Sequence, residues 1–372
     1  MQKTRVILVG GFLGAGKTTL VAKATEHLVR RGQRVGLVTN DQAANLVDTA
    51  LLKEAVDAVQ EVAGGCFCCR FDDLVAAMNR LVESGMPDVL IGEPVGSCTD
   101  LSATVLQPMK QYHKDRFQVA PFSVLVDVKQ VRTLERLRRS MQDAQSPRFP
   151  ENVMYIYEKQ LEEADVIVLN KADLVSPEEL AEVKAVLQRE FSQAPVITTS
   201  ALQGTGVARW LDHVMESSEA GRTITDVDYD EYAEGEAALG WLNAAIRLQA
   251  DAGIDGVAFC TQLIQAMQES FQRVSAEVAH LKLHLRAGKS TLVANLTSTD
   301  GEPHLQGAAD GWGPEAVLLV NVRARIDPAQ LQTITDGCVQ QVAGSTIRIV
   351  IEELQSFAPS RPQPLHRIKH VI

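Results

Sequence analysis

Aromatic side chains are scarce in this sequence, at 5%, and any excess of positive charge is missing, since the formal net charge is -11. A dedicated nucleic-acid binder needs a basic surface to displace counterions from phosphates, so no nucleic-acid partner is expected. Long apolar runs are also lacking. None approaches the ~20 residues a bilayer crossing requires, and no membrane association is expected. The opening Met1-Gln2-Lys3-Thr4-Arg5 with Val6-Ile7-Leu8-Val9 has a short apolar stretch that runs straight into glycines, unlike a secretory leader, so a cytoplasmic location is expected. Six cysteines in 372 residues do not make a disulfide framework, and three of them crowd into Cys66-Phe67-Cys68-Cys69. At this length two domains are the expectation.

The stretch around which the chain is organised is Gly10-Gly11-Phe12-Leu13-Gly14-Ala15-Gly16-Lys17-Thr18-Thr19. From Gly11 to Thr18 it fits G-x-x-x-x-G-K-[ST], with a buried-strand pattern before it and a helical pattern after it, so it reads as a P-loop. Glycines let the backbone curl with its N–H groups inward, and the helix N-terminus adds partial positive charge. Gly11, Gly14, Ala15, Gly16, Lys17, Thr18 and Thr19 are the expected nucleotide contacts. Lys17 reaches the β- and γ-phosphates and Thr18 places its hydroxyl on Mg²⁺.

A second buried strand, Arg34 to Thr39, ends at Asn40-Asp41, the edge where open parallel sheets collect ligand-binding residues. Asp41 is a candidate for the magnesium or γ-phosphate surroundings and equally for the start of a turn. Next comes Gly64-Gly65-Cys66-Phe67-Cys68-Cys69, whose glycines permit a tight path that presents the sulfurs. Three thiolates on a divalent ion carry net charge 3 × (−1) + 2 = −1 and leave one tetrahedral position open, and soft sulfur favours Zn²⁺ or another late transition metal over Mg²⁺. Buried structural thiols and a redox or iron–sulfur role are the alternatives. An iron–sulfur cluster normally needs a fourth cysteine, for which Cys98 is the nearby candidate.

Glu93 closes another buried strand, in Glu93-Pro94-Val95-Gly96, placed to orient the Mg²⁺ shell or the attacking water, and Gly96 can offer its N–H to a γ-phosphate. The basic helix expected from Val131 to Met141 reads as a solvated face. Val166-Ile167-Val168-Leu169 then delivers Asn170-Lys171-Ala172-Asp173. A carboxylate at Asp173 accepts from the N1 and N2 donors of guanine, where adenine has no matching pair, so GTP is expected over ATP. Asn170 and Lys171 brace the base, and Ser200 and Ala201 close over its edge.

G-G-F-L-G-A-G-K-T-T, G-C-F-C-C, E-P-V-G, A-D-V-I-V-L-N-K-A-D-L and S-A-L-Q-G-T-G together resemble the CobW-type GTPases, relatives of the hydrogenase and urease nickel-insertion GTPases, over roughly residues 4 to 218. The C-x-C-C between P-loop and E-x-x-G is the most specific element. The resemblance implies GTP hydrolysis, for which Lys17, Thr18, Glu93 and Asp41, as read above, are the expected catalytic set. It further implies a nucleotide state that controls metal at Cys66, Cys68 and Cys69, zinc or cobalt foremost, and delivery to a client metalloprotein. A GTPase that remodels or protects a cofactor-dependent enzyme without carrying metal is the alternative. Two departures stand out: Gln42-Ala43-Ala44-Asn45 replaces the glycine and glutamate that many members carry there, and no histidine-rich loop is present.

The fold class expected is α/β, a P-loop NTPase with a doubly wound, mostly parallel sheet over residues 1–221, followed by a smaller α+β domain over 222–372. An acidic stretch from Asp226 to Glu236 reads as linker or solvated edge. The remaining pattern, strand–helix–strand–strand and then strand–helix–strand, resembles a ferredoxin-like split βαβ sheet with an added strand, given a regulatory or client-docking role. The tail after Phe357 is expected to be mobile. Oligomeric state stays open, a homodimer included.

Overall fold

Apolar runs such as Val6-Ile7-Leu8-Val9 and Val166-Ile167-Val168-Leu169 show no polar alternation, and each of these residues is at most 1% exposed. Strands buried on both faces belong in a parallel sheet covered by helices. That is what the computed structural model shows; it describes residues 3–40, 47–56, 58–131, 150–288, 290–307 and 313–372. Residues 1–42, 48–232 and 361–372 form one unit, and residues 43–47 and 233–360 a second.

The chain runs β1 (Thr4–Gly11), α1 (Lys17–Arg30), β2 (Val35–Asn40), α2 (Val47–Ala55), β3 (Val59–Val62), α3 (Phe71–Gly85) and β4 (Val89–Glu93). A π-helical turn over Ser102–Leu106 continues into α4 (Gln107–Tyr112), then β5 (Phe117–Val119), β6 (Ser123–Asp127), α5 (Glu151–Glu162) and β7 (Val166–Asn170). A 3-10 turn over Ala172–Leu174, α6 (Pro177–Glu190), β8 (Val196–Thr198) and α7 (Val207–Glu216) follow. The order across this sheet is β3-β2-β4-β1-β6-β7-β8, with β5 pairing the start of β1 and all pairings parallel. Strand order reverses at β1, so the crevice of a doubly wound sheet opens at the C-terminal end of that strand, where the glycine loop sits. Leu20, Ala24 and Leu28 on α1 and Trp210 and Val214 on α7 pack against Ile7, Leu37, Ile91 and Val168 in one core. Trp210 stays in that core because its indole N–H is met by Ser123 Oγ at 2.9 Å.

The acidic stretch read as linker instead forms α8 (Tyr229–Ala237), which is helical because Tyr232 gives it a fully buried anchor. After it come β9 (Gly240–Gln249), α9 (Gly256–Arg273), β10 (Val278–Ala287), β11 (Ser290–Leu296), β12 (His304–Gly307), β13 (Glu315–Ala324), α10 (Pro328–Ala343) and β14 (Arg348–Phe357). The second sheet has the order β12-β11-β10-β13-β9-β14 with antiparallel pairings. Its β14-β9-β13-β10 part is the ferredoxin-like arrangement, to which β11 and β12 add themselves beyond β10. The short β12 falls inside what reads as a plain loop in the sequence. Phe259, Leu263 and Met267 of α9 and Leu331 and Val339 of α10 share one core with Ile246, Leu283 and Val320 of the sheet.

The segment after Phe357, expected to be mobile, is fixed to the first unit from residue 361 onward. Arg367 Nε donates to Asp100 Oδ2 at 2.6 Å, and the Leu365 and Ile368 N–H groups donate to Cys68 O and Ala103 O, each at 3.0 Å. The His366 ring stands against Phe71 and Tyr112, with centroids 5.2 and 5.3 Å away. Local composition hides this, since each partner lies hundreds of residues upstream.

Candidate nucleotide and metal site

The glycine loop is shaped by positive φ at Gly11, Gly14 and Gly16 (125°, 75° and 96°). At Gly11 a Cβ would lie 2.3 Å from Leu125 O, so glycine is required there for space as well as conformation. Gly16 precedes α1, whose first residues are Lys17 and Thr18, both buried. Lys17 Nζ donates to Gly11 O at 2.8 Å across the mouth of the loop. Thr19 follows on the first turn, half-buried.

Thr18 Oγ1 lies 2.9 Å from Glu93 Oε1 and also contacts Asp48 Oδ1. The hydroxyl and the two carboxylates thus converge on one place. Hard oxygens of this kind suit Mg²⁺, which would neutralise phosphate charge as it develops. Gly96, three residues past Glu93, approaches so closely that a Cβ on it would stand 3.1 Å from Lys17 Nζ.

Beyond the loop, Asn170 Nδ2 donates to Ala15 O at 2.8 Å, while its Oδ1 accepts from Ala201 N–H at 2.9 Å and Thr199 Oγ1 at 3.0 Å. One amide thus ties the phosphate loop to the Ser200-Ala201 turn, and Ser200 Oγ accepts from Gln203 N–H to close that turn. Lys171 takes a left-handed conformation, φ 62°, that aims Nζ at Asp127 Oδ2, 2.7 Å away. Asp173, in the 3-10 turn, is exposed. Its carboxylate is therefore open to solvent rather than turned into the core.

The sulfurs sit in the turn that leads into α3. Gly64 and Gly65 have φ 82° and 150°, and the Cys69 and Arg70 N–H groups both donate to Cys66 O, at 3.0 and 2.9 Å. Asn40, the last residue of β2, fastens this turn: Nδ2 donates to Val62 O and Gly65 O, each at 2.8 Å, and Oδ1 accepts from Phe67 N–H at 2.9 Å. The three Sγ atoms lie within 4.8 Å of one another, with Cys66 2.8 Å from Cys68, 3.2 Å from Cys69, and Cys68 3.8 Å from Cys69. Sulfurs around one tetrahedral ion at Zn–S ≈ 2.3 Å are about 3.8 Å apart, so a small outward movement of Cys66 accommodates such an ion. None of the six cysteines forms a disulfide. Hydrogen bonding from Cys68, then from Cys69 and Cys98, holds Cys66 well below the ordinary thiol range despite its burial. The same contact with Cys66 pushes Cys68 well above that range and Cys69 up to about 11.

The structure places Lys17, Thr18, Glu93 and Gly96 around the phosphate loop and Asn170, Lys171, Ser200 and Ala201 beyond it; Asp41 lies outside the described residues, as does the basic helix from residue 132 on. Three contributions went unread in the sequence, although Asn40 is placed there at the ligand-binding edge. Asp48 is the first-turn acid of α2, Asn40 the brace of the sulfur turn, and Asp127 the partner of Lys171. For Asn40 and Asp127 the usable signal was a polar residue ending a fully buried strand.

A P-loop on the central strand, a strand-end acid on its hydroxyl, and Asn-Lys-x-Asp braced against the same loop make this chain a P-loop GTPase. Residues 5–198 match the family described as CobW/HypB/UreG, nucleotide-binding domain. The chain belongs to that family. It is 30% identical over 272 residues to a Sinorhizobium protein named zinc chaperone CobW, a match spanning 64% of this chain and 73% of that protein. With the zinc chaperone YeiR of Escherichia coli it shares 29% identity, over 51% of this chain and 52% of the relative, so there the match spans about half of each. Among solved structures, HypB from Helicobacter pylori in complex with nickel aligns with TM-score 0.41 and 19% identity, covering 58% of this chain and 87% of the other. No described helix is long and apolar enough to cross a membrane.

Proposed function

We propose that the chain is a GTP-hydrolysing metal chaperone: it binds a divalent transition metal, zinc or cobalt, at Cys66, Cys68 and Cys69, and its nucleotide state governs release of that metal to a client metalloprotein. The observation that carries this reading is the gathering of the three sulfurs at the same sheet edge as Thr18, Glu93 and the phosphate loop. Asn40 on β2 and Glu93 on β4 belong to adjacent strands, and Thr39 pairs with Glu93 in register. A shift of Glu93 toward Mg²⁺ and γ-phosphate is therefore felt one strand away, where the sulfur turn is anchored. Relatives named zinc chaperones support zinc as the first choice.

On this reading Lys17 and the Gly11–Gly16 backbone bind the phosphates, Thr18, Glu93 and Asp48 hold Mg²⁺, and Asp173 selects guanine. The second unit serves client docking or regulation; its outermost strand β14 leaves Val350 and Ile351 exposed, a surface another protein can cover.

Linkage requires that GTP and metal change each other's affinity by one common factor, about 5- to 150-fold for typical couplings. Titrating metal in GDP and in a non-hydrolysable GTP analogue measures it. Equal metal binding by wild type and a Cys66/Cys68/Cys69→Ser variant would overturn the reading in favour of a GTPase that remodels its client without carrying metal.

A further inference from the structure

The segment Arg361-Pro362-Gln363-Pro364-Leu365 runs over the sulfur turn of the first unit. Prolines at 362 and 364 carry no N–H and favour extended backbone before them, so from 362 to 365 the donors left are those of Gln363 and Leu365. In extended backbone, with its two-residue repeat, such donors point the same way. Both are used on the sulfur turn: Gln363 N–H donates to Cys69 Sγ at 3.1 Å, and Leu365 N–H donates to Cys68 O at 3.0 Å. Cys66 and Cys68 are buried while Cys69 is half-buried, so the segment stands over the most open of the three sulfurs. Burial of apolar surface does not account for this path, since Leu365 is left 51% exposed.

On either side of the sulfurs the segment is tied down. Ahead of them Arg361 Nε donates to Asp230 Oδ1 at 2.9 Å, an exposed pair that holds little. Behind them Arg367 Nε donates to Asp100 Oδ2, which also accepts from Tyr229 Oη at 2.7 Å. Asp100 is 1% exposed, and a buried carboxylate deprived of its cation is strongly unfavourable, so this is the firm anchor. Ile368 N–H to Ala103 O and Ile372 N–H to Gln107 Oε1, at 3.0 and 2.9 Å, continue the hold onto the π-helical turn and α4.

We propose that residues 361–372 are a strap belonging to the metal centre: Gln363 N–H positions Cys69 Sγ, the Arg367–Asp100 pair keeps the strap closed over it, and the strap sets how fast an ion enters and leaves. This rests on the metal-site reading given above. An N–H donated to a coordinating sulfur draws charge from it and fixes its direction, which matters where three anionic sulfurs crowd one divalent ion, and outer contacts of this kind are worth about 10- to 100-fold in metal affinity. An acceptor that takes the ion must reach the trio past the strap, so transfer requires the strap to open. The C-x-C-C motif alone contains no such cover.

In the full-length protein, zinc release to a chromophoric chelator and the charge-transfer band of the Co²⁺ form read the metal arm, and alkylation of Cys69 by iodoacetamide in the reduced, metal-free chain reads the cover with no ion present. Arg367→Ala, which frees the strap away from any sulfur, should speed Cys69 alkylation and release zinc at least about tenfold faster. Gln363→Pro removes one N–H at a position already flanked by prolines. It should also release zinc faster and move the Co²⁺ band to longer wavelength, because a sulfur relieved of that N–H gives charge to the metal more readily; a merely structural role would leave the band in place. This variant disturbs no buried charge, so it decides the matter even if Arg367→Ala loses its fold. An unmoved band with wild-type zinc release in Gln363→Pro would overturn the positioning role, and unchanged Cys69 alkylation in folded Arg367→Ala would overturn the cover. Wild type that binds no ion at these cysteines would bring down the chaperone reading and the strap's metal role together, an outcome separate from normal zinc binding with unaltered release in both variants, which sinks the strap alone.

Discussion

Replacing Asn40 by alanine should loosen the sulfur turn without touching a sulfur. Asn40 makes three hydrogen bonds to that turn, and Phe67, whose N–H is one of the partners, is fully buried. An N–H left unmet in such a place costs about 1–3 kcal/mol, and loss of the two donations to Val62 O and Gly65 O adds about 1 kcal/mol more, for roughly 2–4 kcal/mol in all. In a unit of this size each kcal/mol lowers the melting temperature by about 2–4 °C, so the fall should be roughly 4–16 °C. If metal binding must then order the turn itself, affinity drops by up to roughly 30- to 700-fold, at 1.4 kcal/mol per decade. Zinc competition against a chromophoric chelator reads the affinity and calorimetry reads the melt. Asn40→Asp should be worse than alanine, because it sets a carboxylate against two carbonyl oxygens that now receive protons from the amide. Full-strength zinc binding with an unchanged melt in Asn40→Ala would refute the idea that this side chain holds the sulfurs together.

If the exposed Asp173 carboxylate meets the guanine donors, as proposed, Asp173→Asn should weaken GTP binding by at least about 100-fold and gain xanthosine triphosphate binding, read by nucleotide competition. Zinc affinity should rise with pH, because Cys68 and Cys69, both raised by their contact with Cys66, give up protons to the ion; a flat profile between pH 6 and 8 would count against thiolate ligation. Burial pushes Glu163 well above the usual carboxylate range, against donation from Ser102 N–H at 2.8 Å. The folded chain therefore keeps a proton that the unfolded chain has lost, and stability contributed by neutral Glu163 declines as pH rises above the ordinary carboxylate range. Glu163→Gln, which keeps an acceptor for Ser102, should be more stable than wild type in urea at pH 8 by a wider margin than at pH 5.

What could be read from the sequence was what local pattern encodes. Buried strands announce themselves by unbroken apolar runs, and glycines before Lys17 or before Cys66 by the backbone they permit. The split βαβ order of the second unit was legible for the same reason, as alternating periods of two and 3.6 residues, while β12 was too short and too exposed to show. Pairings across the chain were not legible. Asp48 meets Thr18, Asn40 meets Phe67, and Lys171 meets Asp127 only because sheet order sets their strands and helices side by side. The tail misled for a related cause: proline and arginine look mobile until Asp100, itself buried and left-handed at φ 62°, supplies a charge for Arg367.

The walls of the phosphate loop come from far down the chain. Leu125 lies against Gly11, Gln130 Nε2 donates to Leu13 O at 3.0 Å, and Asn170 donates to Ala15 O. During folding the loop therefore cannot take its binding shape while only β1 and α1 exist; it must wait for β6 and β7, whose contacts span more than a hundred residues and close slowly. Nucleotide binding is then a late event in folding, and nucleotide stabilises the assembled unit rather than its first segment, by about 2.7 kcal/mol at a hundred times its dissociation constant. Recovery of GTP binding after dilution from denaturant should accordingly lag the return of helical signal.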